Sequence, residues 1–243
     1  GVLKTTANSV ETATLSPNHT VTYNATENGG TLSTGNATET VVQGATIDVS
    51  TTTHVGTKSG YTFVGWNTNK DATTALTSLT MGTSNVTLYA IYSKTITATC
   101  YYYNNQSTTA TATAYNKATS ASITLPTIAE QTVSSVTYTG RGWSTANTAN
   151  ATVNVNSGAT VALSADTTYY ASYQATITAT FYYNSNTTSG SLTVSTTTAS
   201  ATRYMNYTGT YVQSTITVPT DVSNSIGQYN TPYYGVATTY NVH

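Results

Sequence analysis

Apolar and polar residues alternate in three similar stretches of the chain, and this alternation is the main structural signal of the sequence. The first stretch places Val21, Tyr23 and Ala25 on one face, the second does the same with Ile96, Ala98 and Cys100, and the third, Ala175 to Tyr183, nearly repeats the second. A period of two is typical of a strand with one buried face. The pattern predicts β structure, and it aligns Cys100 with Ala25 and Phe181 as a buried small residue.

A second pattern, an aromatic and β-branched run that ends in Gly-Trp, also recurs. The pairs are Gly65-Trp66, Gly142-Trp143 and a degenerate Gly235-Val236. A glycine inside a strand often marks a bulge or a close approach of backbone and side chain. We therefore expect Trp66 and Trp143 to occupy equivalent core positions, with the glycines as landmarks of the same fold.

The spacing of these landmarks supports three repeats. The distance from an apolar strand to the landmark glycine is 18 residues from Ile47, 19 from Ile123 and 19 from Ile216. A recurring period of this kind is typical of tandem units. The predicted fold is all-β, with three small modules in an elongated array. The predicted segments are an extended arm at 1–17, module 1 at 18–93, module 2 at 94–173 and module 3 at 174–243, with an insertion near 200–212.

The third module is predicted to be incomplete. The landmark glycine precedes the closing strand by 23 residues in repeat 1 and 27 in repeat 2, but only 8 residues follow Gly235. An open sheet lacking a strand invites an extended segment to pair with it. The arm at 1–17 could supply that strand to a neighbouring copy. The apolar residues predicted to plug into the neighbour are Val2, Leu3, Val10 and Leu15.

Composition narrows the class of protein. The chain has 61 Thr and 21 Tyr, only 6% charged residues and a net charge of −1. Such a surface suits packing against other copies, and seven scattered Lys and Arg make no nucleic-acid patch. A single Cys excludes an internal disulfide framework, and no apolar run reaches the length of a membrane helix. The start without Met is what a processed, secreted chain would show, so we expect an extracellular location.

No catalytic constellation is visible in the sequence. The three His residues are far apart, the eight acidic residues are scattered, and no Gly-x-Ser-x-Gly motif occurs. Zinc sites and nucleophilic triads need such groups to converge. We expect no enzyme activity, no cofactor and no metal.

A family resemblance follows from the motifs of repeat 1. These are Val21-Thr22-Tyr23, Asn28-Gly29-Gly30, Gly60 to Trp66 and Thr87 to Tyr92. They resemble a Listeria-Bacteroides repeat, the B-repeat type of internalin surface proteins, clearly over 19–92, partially over 94–173 and faintly over 174–243. The resemblance implies small β-grasp-like modules in secreted or wall-attached bacterial proteins, where they act as spacers and adhesive stalks. It implies no catalytic residue.

Two functions remain open from the sequence. The first is a structural subunit of an extracellular surface filament, which polymerises when the arm of one copy enters module 3 of the next. The alternative is a stalk or tip adhesin that holds a carbohydrate or a host surface protein through exposed Tyr and Asn. The expected partners are copies of the chain and other cell surfaces, with no nucleic acid and no membrane span.

Overall fold

The computed structural model describes residues 15–50, 53–184, 194–217 and 239–242, and all regular structure within these ranges is β-strand. The all-β fold class is therefore confirmed. Thr, Tyr and Val are residues that fit a pleated, half-buried surface, which explains why strands dominate. The described ranges contain no helix that could cross a membrane.

The strands vary from two to 18 residues in length. In chain order they are β1 (Asn18–Asn24), β2 (Thr31–Thr34), β3 (Thr38–Val42), β4 (Thr46–Asp48), β5 (Val55–Thr57), β6 (Thr62–Asn67), β7 (Ser78–Thr80), β8 (Val86–Tyr102), β9 (Gln106–Tyr115), β10 (Ala121–Thr124), β11 (Gln131–Val133), β12 (Val136–Ser144), β13 (Val155–Asn156), β14 (Thr160–Leu163), β15 (Thr167–Asn184), β16 (Val194–Met205), β17 (Ser214–Thr217) and β18 (Thr239–Val242).

The chain divides into two compact units. Unit 1 takes Gly1–Thr95 and Thr113–Thr119, and unit 2 takes Ile96–Ala112 and Ser120–His243. The predicted module boundaries at 93/94 and 173/174 fall inside the long strands β8 and β15. The closing strand of one repeat and the opening strand of the next are thus a single strand. The division into three modules and their elongated array stay predictions.

Unit 1 is built around a sheet in which β1 lies between β3 and β8. β1 pairs antiparallel with β3 and parallel with β8, with Val21 opposite Val86 and Tyr23 opposite Leu88. β6 joins the other side of β8 and places Trp66 opposite Ala90. The small pairs β2–β5 and β4–β7 complete the unit. The buried core consists of Val21, Tyr23, Ala25, Val41, Val49, Trp66, Met81, Leu88, Ala90 and Tyr92.

Unit 2 repeats these pairings, except β2–β5, with the second part of β8 as the opening strand. That part of β8 pairs with β9 and runs parallel to β15, with Cys100 opposite Tyr169. β12 joins β15 antiparallel and places Trp143 opposite Ala171. β10 pairs with β14 as β4 pairs with β7. The two units therefore share these strand pairings.

The register corrects one alignment made from the pattern. Tyr23 lies opposite Leu88, and Cys100 lies opposite Tyr169. Leu88 and Tyr169 each come two residues before the residue that lies opposite the landmark tryptophan. Tyr23, and not Ala25, is therefore the counterpart of Cys100. A shift of two residues leaves every side chain on its original face, so the alternation alone could not detect it.

The third opening strand is the later part of β15. Beyond Gln174, β16 is the only described strand that pairs with it, from Ala175 opposite Arg203 to Asn184 opposite Val194. β17 pairs with β18, with Ile216 opposite Tyr240, in the manner of β10 and β14. The predicted insertion near 200–212 is occupied by the end of β16 and by a turn at Asn206–Thr210.

Candidate functional site

The landmark tryptophans lie in matching pockets of the two units. Trp66 and Trp143 are both fully buried. The indole Nε1 of Trp66 donates to His54 O at 2.9 Å, and that of Trp143 donates to Pro126 O, also at 2.9 Å. A buried indole needs such an acceptor, and both units supply it from a covering loop. These residues are folding determinants of the core.

The glycine before each tryptophan sits at a β-bulge. Gly65 and Gly142 have φ angles of 142° and 152°. In each case one residue on the strand that carries the glycine has no partner on the facing strand. This residue is Val64 in unit 1 and Arg141 in unit 2. A Cβ at Gly142 would lie 2.5 Å from Val153 Cγ1 and 2.6 Å from Val155 O. Backbone conformation and close approach thus both require glycine there.

The predicted polymer interface falls mostly outside the described residues. Val2, Leu3, Val10 and the third landmark Gly235 belong to the segments that are not described. Leu15 is described and is 94% exposed. It is available for contact with another chain.

Among the described strands, none lies beside the later part of β15 at the place where the other repeats carry a parallel strand. β8 lies beside β1, and β15 lies beside the second part of β8. No described strand takes that place next to residues 177–184. Ala98 and Cys100 are fully buried, but Ala179 and Phe181, at the same places in the third repeat, are only half-buried. The inward face of this strand is incompletely covered by the described residues.

The thiol of Cys100 lies in the core of unit 2. It is unpaired and completely buried. Burial raises its pKa from the ordinary 9.0 to about 11. An apolar site disfavours the thiolate, so this Cys acts as a small hydrophobic residue, as its alternation predicted.

Two asparagine side chains, which we call the asparagine clamps, each hydrogen-bond a turn to the loop that follows a landmark Gly-Trp pair. In unit 1, Asn116 Nδ2 donates to Lys70 O and Ala72 O, and Asn116 Oδ1 accepts from Tyr92 N. In unit 2, Asn206 Nδ2 donates to Asn147 O. Lys70 and Asn147 each follow their landmark glycine by five residues. These asparagines were not predicted from the sequence, although each follows a tyrosine-containing strand, where Asn favours a turn.

The turn at Asn116 borders a polar cleft, which we call the unit 1 cleft. It has a volume of about 220 Å³. It is lined by Asn28, Asp71, Tyr115, Asn116, Lys117 and Ala118. Lys58 Nζ donates to Asn116 O from outside this lining and lies over the ring of Tyr61, 4.0 Å from its centroid. These contacts hold the cleft-forming turn on unit 1.

The carboxylate of Glu27 lies near two lysine side chains beside the cleft. Lys117 Nζ lies 2.7 Å from Glu27 Oε1, and Lys70 Nζ lies 3.8 Å from the same oxygen. The hydrogen bond from Lys117, followed by its positive charge, lowers the pKa of Glu27. Because these side chains are exposed, the pairs orient the groups more than they stabilise the fold.

The two described histidines, His19 and His54, do not form a ligand set. His19 lies on β1, and His54 stacks on Tyr23 at 3.7 Å between ring centroids. Burial, and then the hydrogen bond from its hydroxyl to Glu39, raises the pKa of Tyr23. Among the described residues, no three His, Cys, Asp or Glu side chains are grouped to hold a metal.

The fold and the recurring landmarks define an all-β repeat protein. Residues 19–91 match the family model of the Listeria-Bacteroides repeat domain. This match agrees with the resemblance seen in the motifs of repeat 1 and indicates a surface-associated repeat protein. No curated protein and no solved structure matches the chain.

Proposed function

We propose that the chain is a structural subunit of an extracellular surface filament, in which residues 1–17 of one copy pair with the open edge of β15 in the next. The proposal assigns it no catalysis and no cofactor. Support comes from the Listeria-Bacteroides repeat, which is associated with surface proteins, and from the low charge of the chain, 6% of residues.

The observation that carries the proposal is that one edge of the later part of β15, which we call the open edge, has no neighbour among the described strands. In repeats 1 and 2 the opening strand is flanked on both sides, and the strand that closes the repeat runs parallel to it. The later part of β15 has β16 on one side only among the described strands. An unpaired edge above a half-buried apolar face is the kind of surface that accepts an added strand.

The arm, residues 1–17, contains apolar side chains that a donated strand could bury in a neighbouring copy. Val2, Leu3, Val10 and Leu15 are its large apolar residues, and Leu15 is exposed. The donated strand would run parallel to β15, as β8 runs parallel to β1. Donation from copy to copy that does not close into a ring produces a filament.

Truncation and matched substitutions test this proposal. The full chain should form filaments visible by electron microscopy, and a chain lacking residues 1–15 should sediment as a monomer that takes up a peptide of residues 1–17. Leu15→Asp should shorten the filaments, whereas Thr14→Asp should not. On the acceptor side, Ala179→Glu, on the half-buried face, should block peptide uptake, whereas Thr180→Glu, on the exposed face, should permit it.

Two results would overturn the proposal. One is normal filaments from the truncated chain, because the arm would then be dispensable. The other is a full-length chain that remains monomeric at all concentrations, because the edge would then be filled or protected within one copy.

A further inference from the structure

We infer that Tyr170 and Tyr207 form an oxidative modification site, at which a haem peroxidase acting with hydrogen peroxide joins the two rings into a dityrosine cross-link. The site uses no residue of the arm or of the open edge of β15. It is therefore independent of the filament proposal, and a chain lacking residues 1–15 should retain it.

Three tyrosine rings of unit 2 are in mutual contact. The ring centroids of Tyr170 and Tyr207 lie 4.9 Å apart, with the ring planes tilted by 40°. The ring centroid of Tyr101 lies 5.6 Å from that of Tyr170 and 5.8 Å from that of Tyr207. In the part of the chain that the structure describes, every other aromatic ring contact joins two different ring types. We call this group of three rings the tyrosine cluster.

The backbone holds the rings of the tyrosine cluster together. Tyr170 on β15 lies opposite Tyr101 on β8 in the parallel register of these strands. Tyr207 lies in the turn at 206–210, and its carbonyl oxygen accepts a hydrogen bond from the N–H of Asn105, in the turn that follows β8. A tyrosine side chain has only two rotatable χ angles, so its ring position follows closely from its backbone position. The contact between Tyr170 and Tyr207 is therefore a property of the folded unit.

The tyrosine cluster is accessible to an oxidant, whereas the competing groups near it are not. Its three rings are half-buried. Cys100 and Trp143, which are also easily oxidised, are fully buried in the core of unit 2. Cys100 directly precedes Tyr101 on β8, and successive side chains of a strand point to opposite faces of the sheet. A radical formed in the cluster therefore meets another tyrosine ring first.

The cross-linking step can be written with its atoms and electrons balanced. Each phenol gives one electron and one proton to the oxidant and becomes a phenoxyl radical. A C–C bond then forms between the ring carbons ortho to the two oxygens, and the hydrogen on each of these carbons moves to the neighbouring oxygen and restores the phenol. The pair loses two hydrogen atoms, and one hydrogen peroxide takes up the two electrons and two protons and leaves as two water molecules.

The cross-link would tie β15 to the turn that follows β16. Tyr170 and Tyr207 are 37 residues apart in the chain. A covalent link that closes a loop of this length restricts the unfolded chain and stabilises the fold, as a disulfide does. The single Cys of the chain is buried and unpaired, so it supplies no internal disulfide. Dityrosine would give unit 2 a covalent tie by a different chemistry.

Unit 1 provides an internal control at the equivalent position. Tyr89 corresponds to Tyr170, because each directly precedes the residue that lies opposite its landmark tryptophan. The residue opposite Tyr89 on β1 is Asn24, whereas the residue opposite Tyr170 is Tyr101. No ring contact with another described residue involves Tyr89. We therefore expect no cross-link at Tyr89.

The test is oxidation of the full chain by a haem peroxidase with one equivalent of hydrogen peroxide, followed by trypsin digestion and mass spectrometry. Trypsin cleaves after Arg203, so Tyr170 and Tyr207 fall in different peptides, 142–203 and 204–243. These two peptides should be recovered joined, at the sum of their masses less two hydrogen atoms, and fragmentation should place the link at Tyr170 and Tyr207. Peptide 71–94, which contains Tyr89, should remain unlinked. An equal mixture of ¹⁵N-labelled and unlabelled chains should give no joined peptides of mixed label, because the link forms within one chain.

Substitution by phenylalanine tests the role of each phenol. Tyr170→Phe and Tyr207→Phe should each abolish the joined peptides, because phenylalanine keeps the ring but has no hydroxyl from which a phenoxyl radical can form. The matched control is Tyr204→Phe, which changes the same peptide at a ring packed against Arg141 and should leave the yield unchanged. The oxidised native chain should unfold at a higher urea concentration than the untreated chain, and the two variants at the site should show no such shift.

Four results would overturn the inference. The joined peptides could be absent although free tyrosine is converted to dityrosine in a parallel reaction, or they could persist in Tyr170→Phe or Tyr207→Phe. They could carry mixed label, which would place the link between chains. A chain unfolded in urea could give the same yield, which would mean that the fold does not direct the coupling. A chain lacking residues 1–15 that forms the cross-link but no filaments would support both proposals separately.

Discussion

The surroundings of Trp66 and Trp143 are built from the same backbone geometry and from different side chains. Both indoles follow a glycine at a bulge and donate to a loop carbonyl. The bulged residue is Val64 in unit 1, but in unit 2 it is Arg141, whose guanidinium lies 4.5 Å from the centroid of the Tyr204 ring. The strand pairing and the hydrogen bond of the indole are therefore the same in both units, because they fix the position of the indole. The side chains that pack around it can differ.

Removal of each indole should have the largest effect on stability, and it tests whether the two tryptophan sites are equivalent. Trp66→Ala and Trp143→Ala should each lower the free energy of unfolding by about 3 to 5 kcal/mol, because each leaves a large cavity and an unsatisfied carbonyl. Chemical denaturation with hydrogen exchange will show which unit loses protection. Equal losses, each confined to its own unit, are expected. Unchanged protection of unit 1 after Trp66→Ala would break the equivalence.

The next effect concerns the bulge glycine. Gly142→Ala should cost about 2 to 4 kcal/mol, because its positive φ is strained for alanine and the new Cβ would collide with Val153 and Val155. Gly82→Ala is the control, since no atom lies within 4 Å of a Cβ built there. Thermal unfolding of both variants measures the difference. A neutral Gly142→Ala would mean that the bulge relaxes freely.

The stability of the fold should depend on pH through Cys100, which occupies in unit 2 the position that Tyr23 occupies in unit 1. The folded pKa of Cys100 is raised to about 11 from 9.0, so between these values the folded chain keeps a proton that the unfolded chain loses. Stability therefore falls as pH rises through 9 to 11.

Replacing the thiol should remove its share of this loss. Between pH 8 and pH 10.5, Cys100→Ala should lose about 2 kcal/mol less stability than the native chain. Urea unfolding at the two pH values provides the measurement. Identical losses in the two proteins would show that the thiol does not titrate with folding, and Tyr92, whose pKa burial raises to about 12, remains in both as a shared background.

The smallest expected effect distinguishes the two asparagine clamps. Asn116→Ala should cost about 1 to 3 kcal/mol, because it removes the side-chain hydrogen bonds to the buried Tyr92 N–H, to Ala72 O and to Lys70 O, the last of which keeps Asn28 Nδ2 as a donor. Asn206→Ala should cost less, about 0.5 to 1.5 kcal/mol, since its hydrogen bonds to Asn147, Thr208 and Thr210 are all exposed. Amide exchange at Tyr92 reports the first change directly. A larger loss for Asn206 would reverse the ranking of the clamps.

Local signals in the sequence were sufficient for part of the candidate sites. Alternation along Ile96, Ala98 and Cys100 predicted their burial, which the structure confirms. Asn28 and Asp71 were not predicted to share a cleft. They lie 43 residues apart, and the packing of the Thr113–Thr119 segment within unit 1 brings Tyr115 beside them.

The sequence by itself determined the all-β class, the recurrence of the landmarks and the Listeria-Bacteroides repeat, because side-chain alternation and Gly-Trp pairs are local properties of the chain. The tertiary structure alone decided that Tyr23 corresponds to Cys100 and that β8 and β15 each serve two repeats. It also decided that, among the described strands, only β16 lies beside the later part of β15. The physical reason is that alternation repeats every two residues. A shift by two keeps the same face buried, so the choice of register depends on which distant strand supplies the hydrogen bonds.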